Sequence, residues 1–419
     1  MLPKDAKLLV DFKATPAQVA DSWQTSQPIV ALIGNESQSK WSRWSIIAPA
    51  DGKRLTLNNK HAINDLGLIL KKQSNESILP NWIGYLSYEL GYTIEPSSGT
   101  SHKGVWPLID MVWCDRALIH DAKTNTWWSI GECEPPNLQP PSEVEPVWSN
   151  LKDDAGKEVF KAAVARTVDY IHAGDIFQAN ITRRFSSNVR GNIRSSAFST
   201  LSYPGGWFGA WLEFPDDGRY IMSMSPELFL QYDGKSREII TRPMKGTGPE
   251  CDNPQLLIDS QKDAAELHMI VDLMRNDLGR ICEFGSIEVR HARTIEQHPT
   301  VWQCVGEICG KTKHGIQVDD ILKATFPAGS ITGAPKIRAM QIIQKLEPTP
   351  RGPYCGAIGI FGKSLMLNVA IRTALFHGNG SSQNFEGRME YSTGCGIVAE
   401  SDPEAELLES EVKTHILQL

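Results

Sequence analysis

Four groups of side chains in this sequence could do chemistry together. Glu227 and Lys245 pair a carboxylic acid with an amine; the acid can protonate a leaving group while the amine attacks as a nucleophile. Asp263 and Glu266 are spaced i, i+3, and Glu406 and Glu409 repeat that spacing, so each pair projects two carboxylates from one side of a helix. If the two helices meet, four oxygen donors suit a hard cation. Magnesium takes one or two carboxylates directly, keeps several waters and favours an anionic substrate. Arg372 and Lys413 add positive charge for substrate carboxylates. Together these residues describe metal-assisted work on a small polyanion. Taken singly they have plainer readings: Lys245 as a surface lysine at a strand end, and Glu406, Glu409 and Lys413 as a solvated helix face.

The elements that must position these groups can be read from local pattern. A β-branched and basic run, residues 237–242, leads into Pro243-Met244-Lys245-Gly246-Thr247-Gly248-Pro249. It reads as a strand breaking into a tight turn, with Thr241, Pro243 and Lys245 on one face. Gly246 leaves no side chain beside the lysine, which gives a ligand room to approach. The first carboxylate pair falls on a helix over residues 262–280, whose stripe of Leu267, Ile270, Val271, Met274 and Leu278 predicts its buried face. The second falls on a C-terminal helix with Asp402 as N-cap and Pro403 at the first helical position. There Ala405, Leu408, Val412, Ile416 and Leu419 predict the core stripe.

Two more helices are expected, over residues 157–172 and over 336–346. The latter has Ser330 or Thr332 ahead of it as a candidate cap and glycines that suit an anion site. Strands are expected over residues 176–185, 222–232, 356–361, 365–376 and 394–399, and nearer the N-terminus over 30–33, 44–47 and 82–86. Trp41, Trp44, Trp82 and Trp113 are read as core.

Composition narrows the classes. With 419 residues, 41% hydrophobic and 22% charged, the chain is globular and long enough for a large core. A net charge of -7 leaves no electrostatic case for a nucleic-acid partner. No apolar run nears the roughly 18 residues of a membrane span, and the N-terminus lacks a signal-peptide core, so a cytoplasmic protein is expected. None of the eight cysteines forms a Cys-x-x-Cys pair, which argues against zinc and for reduced thiols. Residues 134–147 form a proline-rich connector, the best boundary in the chain, between an N-terminal segment (1–133) and the remainder (148–419).

Several long runs resemble one family, the chorismate-utilising enzymes. They are Gly174-Asp175-Ile176-Phe177-Gln178-Ala179-Asn180, Arg242-Pro243-Met244-Lys245-Gly246-Thr247, Ile270-Val271-Asp272-Leu273-Met274-Arg275-Asn276-Asp277, Gly329-Ser330-Ile331-Thr332-Gly333-Ala334-Pro335-Lys336 and Gly394-Cys395-Gly396-Ile397-Val398-Ala399. The strong matches fall between about residues 170 and 413, in family order. Fainter ones lie at Ser42-Arg43-Trp44-Ser45-Ile46-Ile47 and Gly84-Tyr85-Leu86-Ser87-Tyr88. The resemblance implies an α+β fold of two large antiparallel β-sheets packed at a steep angle with helices outside. The N-terminal segment would then add strands to the same fused body. It also implies chorismate, a ring dicarboxylate, as substrate and Mg2+ as cofactor. By motif position Glu266 and Glu406 match the main metal-linked carboxylates, with Asp263 and Glu409 beside them. Tyr354, Arg372, Gly396 and Lys413 match positions that hold the substrate carboxylates, Ser330 a substrate-contacting hydroxyl, and Glu227 the general acid.

Three positions choose a branch. The similar anthranilate synthases usually carry alanine where this chain has Lys245, and histidine where it has Gln303. Isochorismate and salicylate synthases carry a water-activating lysine where it has Gln178. The pattern resembles component I of the aminodeoxychorismate synthases, which lead to 4-aminobenzoate and folate. In such an enzyme the lysine would attack ring C2, Glu227 would protonate the departing C4 hydroxyl, and ammonia would add at C4. Met244 replaces the usual isoleucine, a volume-conserving change. Leu32-Ile33-Gly34-Asn35 stands where anthranilate synthases place the Leu-Leu-Glu-Ser of a tryptophan pocket, so inhibition by tryptophan is not expected. No Cys-His-Glu glutaminase or lyase unit is evident, so a glutamine amidotransferase subunit is expected to supply ammonia and another enzyme to release 4-aminobenzoate. The rivals are anthranilate synthase component I and, from another class, a non-catalytic chorismate-binding regulatory subunit. The intact set Glu227, Lys245, Glu266, Glu406 and Lys413 argues against the latter.

Overall fold

The computed structural model describes residues 5–417 apart from 25, 35–38, 74–78, 101–103, 140–146, 149, 204–205, 250–252 and 299–300. Asn35, Cys251, Leu419 and the second half of the proline-rich stretch lie outside the described residues. Two antiparallel sheets, of twelve and ten strands, carry the fold, with helices packed on them. In the first, strands Ile29–Ile33 and Trp44–Pro49 continue the row that holds Phe208–Phe214; in the second, Asn81–Leu86 lies beside Ala357–Phe361. Strands from before and after the proline-rich stretch are therefore joined edge to edge in both sheets.

The apolar strands of the N-terminal region are buried on both faces. In Ile29–Ile33 the period of two sends Ile29, Ala31 and Ile33 into a cluster with helices Pro16–Asp21 and Ile193–Ser202. Val30 enters a different cluster, shared with Ile83, Val112 and Ile358 of the second sheet. Such strands read as unbroken apolar runs because neither face meets water.

The elements that bear the functional residues follow. Helix α1 (Lys157–His172) packs Phe160 and Val164 against Ile181 of β1 (Gln178–Gly191). Residues 222–232 are expected to form one strand but form parts of two, β2 (Arg219–Ser225) in the first sheet and β3 (Leu228–Tyr232) in the second. Pro226, which has no N–H for a ladder, and Glu227 make the crossing. Strand β4 (Glu238–Arg242) runs on after Pro243 into β5 (Met244–Pro249). Next come α2 (Gln261–Gly279), β6 (Val301–Lys311) and α3 (Lys336–Leu346). Residues 365–376 likewise split, into β7 (Leu365–Val369) of the second sheet and β8 (Thr373–Asn379) of the first. The turn between them puts Arg372 in the left-handed region at φ 51, where strand geometry cannot continue. The long strand β9 (Phe385–Ile397) pairs with β1 along thirteen positions, and α4 (Pro403–Val412) closes the chain over them.

The stripe predicted for α2 is the observed one: Leu267, Ile270, Val271, Met274 and Leu278 are all buried. Asp402 caps α4 as expected, accepting from the amides of Glu404 and Ala405. The core stripe assigned to α4 is wrong. Leu408 and Val412 are 61% and 63% exposed and Ala405 is exposed, while Glu406, Leu407 and Ser410 face inward. Burial of the polar side is tolerated because it is satisfied. Ser401 donates to the Glu406 carboxylate at 2.7 Å, and Arg183 donates to the Ser410 hydroxyl at 3.1 Å. Nor does Ser330 or Thr332 cap α3: Thr332 donates to the Ala328 carbonyl and Ser330 to Glu227.

Candidate active site

The expected tight turn at Lys245 is a bulged strand. Both β4 and β5 pair with β6, and the register slips between Met244 and Thr247. A bulge leaves residues outside the ladder and re-aims them; here those are Lys245 and Gly246. Gly246 holds φ 82, a conformation that favours glycine. A Cβ on it would stand 3.0 Å from the Asp263 carboxyl carbon, so this glycine lets the first turn of α2 pack against the lysine strand.

The room around the lysine comes from a different glycine. A Cβ built on Gly396 would lie 2.6 Å from Lys245 Nζ and 2.3 Å from Gln178 Nε2. The amine from the second sheet and the amide from β1 of the first thus meet over the bare backbone of β9. Gln178 is 1% exposed, and among the described residues its Oε1 has no hydrogen-bond partner. A buried acceptor left open in this way is a place for a ligand N–H or O–H.

Glu227 sits at the crossing from β2 to β3, 4% exposed. Ser330 Oγ donates to its Oε1 at 2.6 Å, and the Met244 amide also donates to its carboxylate. Burial raises its pKa to about 7, although the Ser330 hydroxyl, the Lys245 charge and the Met244 amide all pull it back. The group is therefore poised to give up or take a proton near neutrality. Arg372 sits at the other crossing. The two crossings are bonded to each other, Met224 N–H to Arg372 O at 2.9 Å, Val369 N–H to Glu227 O at 3.0 Å and Ser225 Oγ to Val369 O at 2.6 Å. Burial lowers the Arg372 pKa below its ordinary value, with Tyr391 raising it. Arg372 is half-buried, and among the described residues its side chain makes no hydrogen bond or ion pair, so a partly desolvated cation is left for an anionic ligand. Tyr354 is buried nearby in sequence to the Arg351 turn, and burial pushes its phenol well above the usual range.

On α4 the Glu406 and Glu409 carboxylate oxygens and Cys395 Sγ lie within 4.8 Å of one another. Lys413 Nζ binds Glu409 Oε1 and the Gly394 carbonyl, each at 2.7 Å. Desolvation would lower the lysine pKa, but the Glu409 and Glu406 carboxylates outweigh that and raise it, so it stays a cation. Burial pushes the Cys395 thiol far up, which keeps it neutral. Asp263 and Glu266 are half-buried on α2 and, among the described residues, do not join that group of donor atoms. The structure thus brings together Glu227, Ser330 and Lys245, then Lys245, Gln178 and Gly396, and then Glu406, Glu409 and Lys413. It does not gather all four carboxylates at one point. The hydroxyl of Ser401 was not singled out in the sequence; its place just before the capped start of α4 is the signal that could have found it.

A family model described as chorismate binding enzyme matches residues 25–418. An aminodeoxychorismate synthase component 1 of Salmonella typhimurium is 35% identical over 354 residues, covering 78% of this chain and 74% of that protein. An anthranilate synthase component 1 of Haloarcula marismortui is also 35% identical, over 286 residues, covering 66% of this chain and 56% of that protein. Among solved structures, an anthranilate synthase component I from Streptococcus pneumoniae superposes with TM-score 0.76 at 26% identity, covering 91% of this chain and 93% of that one.

Proposed function

The chain belongs to the chorismate-binding enzyme family, and from that premise we propose that it is component I of an aminodeoxychorismate synthase, which aminates chorismate at C4. The observation that carries this reading is the approach of Lys245 Nζ to the bare backbone at Gly396, beside a carboxyl whose pKa stands near 7. Arg372 and Lys413 hold the two substrate carboxylates, with Tyr354 and the Gly396 backbone beside them. Lys245, as the free amine, forms a bond to ring C2, both ring double bonds shift (C1=C2 to C1=C6 and C5=C6 to C4=C5), and the C4–O bond breaks as Glu227 delivers its proton, so water leaves. Ammonia then adds at C4, both double bonds shift back, the C2–N bond to Lys245 breaks with the amine regained, and the new C4 ammonium returns a proton to Glu227. Ser330 holds the Glu227 carboxyl in place throughout. Gln178 offers only an amide, which cannot deprotonate water, so ammonia is the competent nucleophile.

The oxygen donors of Glu406 and Glu409 fit Mg2+, and a neutral Cys395 thiol does not compete for a hard ion. Asp263 and Glu266 are the further carboxylates proposed for it. When bound, the ion neutralises carboxylate charge on the enzyme and the substrate. Ammonia is proposed to come from a glutamine amidotransferase subunit.

Relatives of the anthranilate synthase type match at the same identity, so anthranilate synthase component I is the competing reading. One assay separates them. With chorismate, magnesium and an ammonium salt, the expected product gives 4-aminobenzoate only when a lyase is added. Direct appearance of fluorescent anthranilate without lyase would overturn the proposal.

A further inference from the structure

Outside the reacting groups, one buried cation touches both walls of the site. Arg351 has a side chain 2% exposed, and its partner Glu347 is 5% exposed. Two of its bonds go to Glu347, Nε to Oε2 at 2.9 Å and Nη2 to Oε1 at 2.7 Å. The others go to backbone carbonyls, Nη1 to Ile331 at 2.9 Å and Nη2 to Asn180 at 2.6 Å. Ile331 follows Ser330, the donor to Glu227. Asn180 lies two residues after Gln178 on β1, and its own amide donates to Thr332 O at 2.9 Å. Glu347 extends the clamp by accepting from the Thr182 amide of β1 at 2.8 Å.

The N-terminal region fixes this arginine. The Tyr88 ring lies 4.4 Å from the guanidinium carbon. The Glu89 carboxylate accepts from the Arg351 amide at 2.7 Å and from the Gly352 amide at 3.0 Å. A planar guanidinium can serve a carboxylate and two divergent carbonyls at once; an ammonium on a flexible stem cannot hold that fork.

We propose that Arg351 is the positioning residue for the acid of the active site: by clamping the Ile331 and Asn180 carbonyls it holds the Ser330 hydroxyl on Glu227, and Tyr88 and Glu89 hold Arg351. This rests on the reading of Glu227 as the acid. It explains why an N-terminal stretch with no reacting group is built against the catalytic core. A plain structural ion pair would need only Glu347. Here two of the four side-chain bonds go to the segments that carry Ser330 and Gln178 instead.

The test reads Glu227 directly, in the substrate-free full chain, by 13C NMR of labelled glutamate carboxyls assigned with Glu227→Gln. The titratable groups facing Glu227 are Lys245 and Cys355, and both stay in place in every variant. Ser330→Ala removes a donor to the carboxylate and is expected to raise the titration midpoint by about one pH unit, the tenfold worth of one such bond. Arg351→Lys is expected to raise it by a similar amount, and the double variant by no more than either single one. Chorismate consumption by Arg351→Lys should show kcat down by about tenfold with KM within about threefold. If Arg351→Lys lowers the unfolding temperature but leaves the Glu227 midpoint at the wild-type value, or adds in full to Ser330→Ala, the proposal is overturned. Should Arg351→Lys fail to fold, Glu347→Gln frees the same fork and is read the same way. Because the titration needs no substrate, it stands even if the product assay assigns another reaction, and that assay can fail without touching it.

Discussion

Two carboxyl groups in this molecule, Glu89 and Glu227, are driven by burial to about the same pKa, near 7, yet they do different things. Glu89 stands where strand Asn81–Leu86 gives way to helix Leu90–Ile94, and both its oxygens are taken by the Arg351 and Gly352 amides. Glu227 stands where the chain crosses between sheets. A hydroxyl and one amide hold it, and an amine from the facing sheet pulls on it electrostatically. A perturbed carboxyl alone therefore does not mark a catalytic group. What marks it is company: the amine that pulls on Glu227 lies beside a bare glycine, and the amide of Gln178, its oxygen unmet among the described residues, meets that amine there.

The comparison breaks if the two residues respond alike to the same change. Glu227→Gln keeps the shape but removes the proton donor, and chorismate turnover is expected to fall by about 10²–10⁴-fold with substrate affinity little altered. Glu89→Gln should cost less than about tenfold, through Arg351 alone. Steady-state kinetics on both variants decide the matter; equal losses would mean that burial, not position, made Glu227 matter.

Two further changes sharpen the boundary of the catalytic region. Lys245→Ala should abolish most aminodeoxychorismate formation, by about 10²-fold, while chorismate still binds at Arg372 and Lys413. Mass spectrometry of the wild type with chorismate and magnesium, and no ammonia, should find an adduct on the peptide that contains Lys245. Wild-type rates in Lys245→Ala would return this residue to an ordinary strand-end lysine. Glu406→Gln should weaken metal-supported activity by about 10–100-fold. Wild-type activity should cease in chelator and return with magnesium, and undiminished turnover in excess chelator would remove the metal from the scheme.

How much of this was legible depended on whether local pattern and tertiary demand agreed. On α2 they agreed, because its apolar stripe faces a core and its carboxylates stay half-buried. On α4 they conflicted. Periodicity finds the apolar face, but the polar face carries Glu406 and Ser410, the first satisfied by Ser401 just ahead of the helix and the second by Arg183, far away in the sequence. The inward face of that helix follows in part from Arg183, a partner that no local window of the sequence contains. The sheet crossings were hidden for a similar reason. Residues 222–232 and 365–376 each alternate well enough to read as one strand, and only a proline and a left-handed arginine betray the change of sheet. Glu227 and Lys245 can be paired from their residue types and Ser330 from motif resemblance, while the open amide of Gln178 and the clamp of Arg351 exist only once β1 and the Ser330 segment are side by side.

The smallest expected effect separates Glu89 and Glu227 by stability rather than rate. Each has a folded-state pKa of about 7, above the ordinary glutamate value of 4.5. The folded protein then binds more protons than the unfolded chain between about pH 4.5 and 7, so stability from each group is fully present below that window and is lost as pH rises through 7. A shift of that size corresponds to at most about 3 kcal/mol per group. Glutamine cannot ionise and removes the loss, but its amide has one acceptor oxygen in place of two. At position 227 the Ser330 hydroxyl can turn round and accept from the new amide, so Glu227→Gln should match the wild type near pH 5 and exceed it near pH 8. At position 89 both partners are backbone N–H groups that cannot turn, and one would face the amide nitrogen. Glu89→Gln should therefore lose about 1–3 kcal/mol at pH 5, where the wild-type carboxyl is intact, and recover part of it by pH 8. Unfolding midpoints of the three proteins across pH 4.5–8.5 give the result. Coincident curves for the two variants, with no offset between them, would show that the contrast between a satisfied scaffold carboxyl and a poised catalytic one does not reach the energetics of the fold.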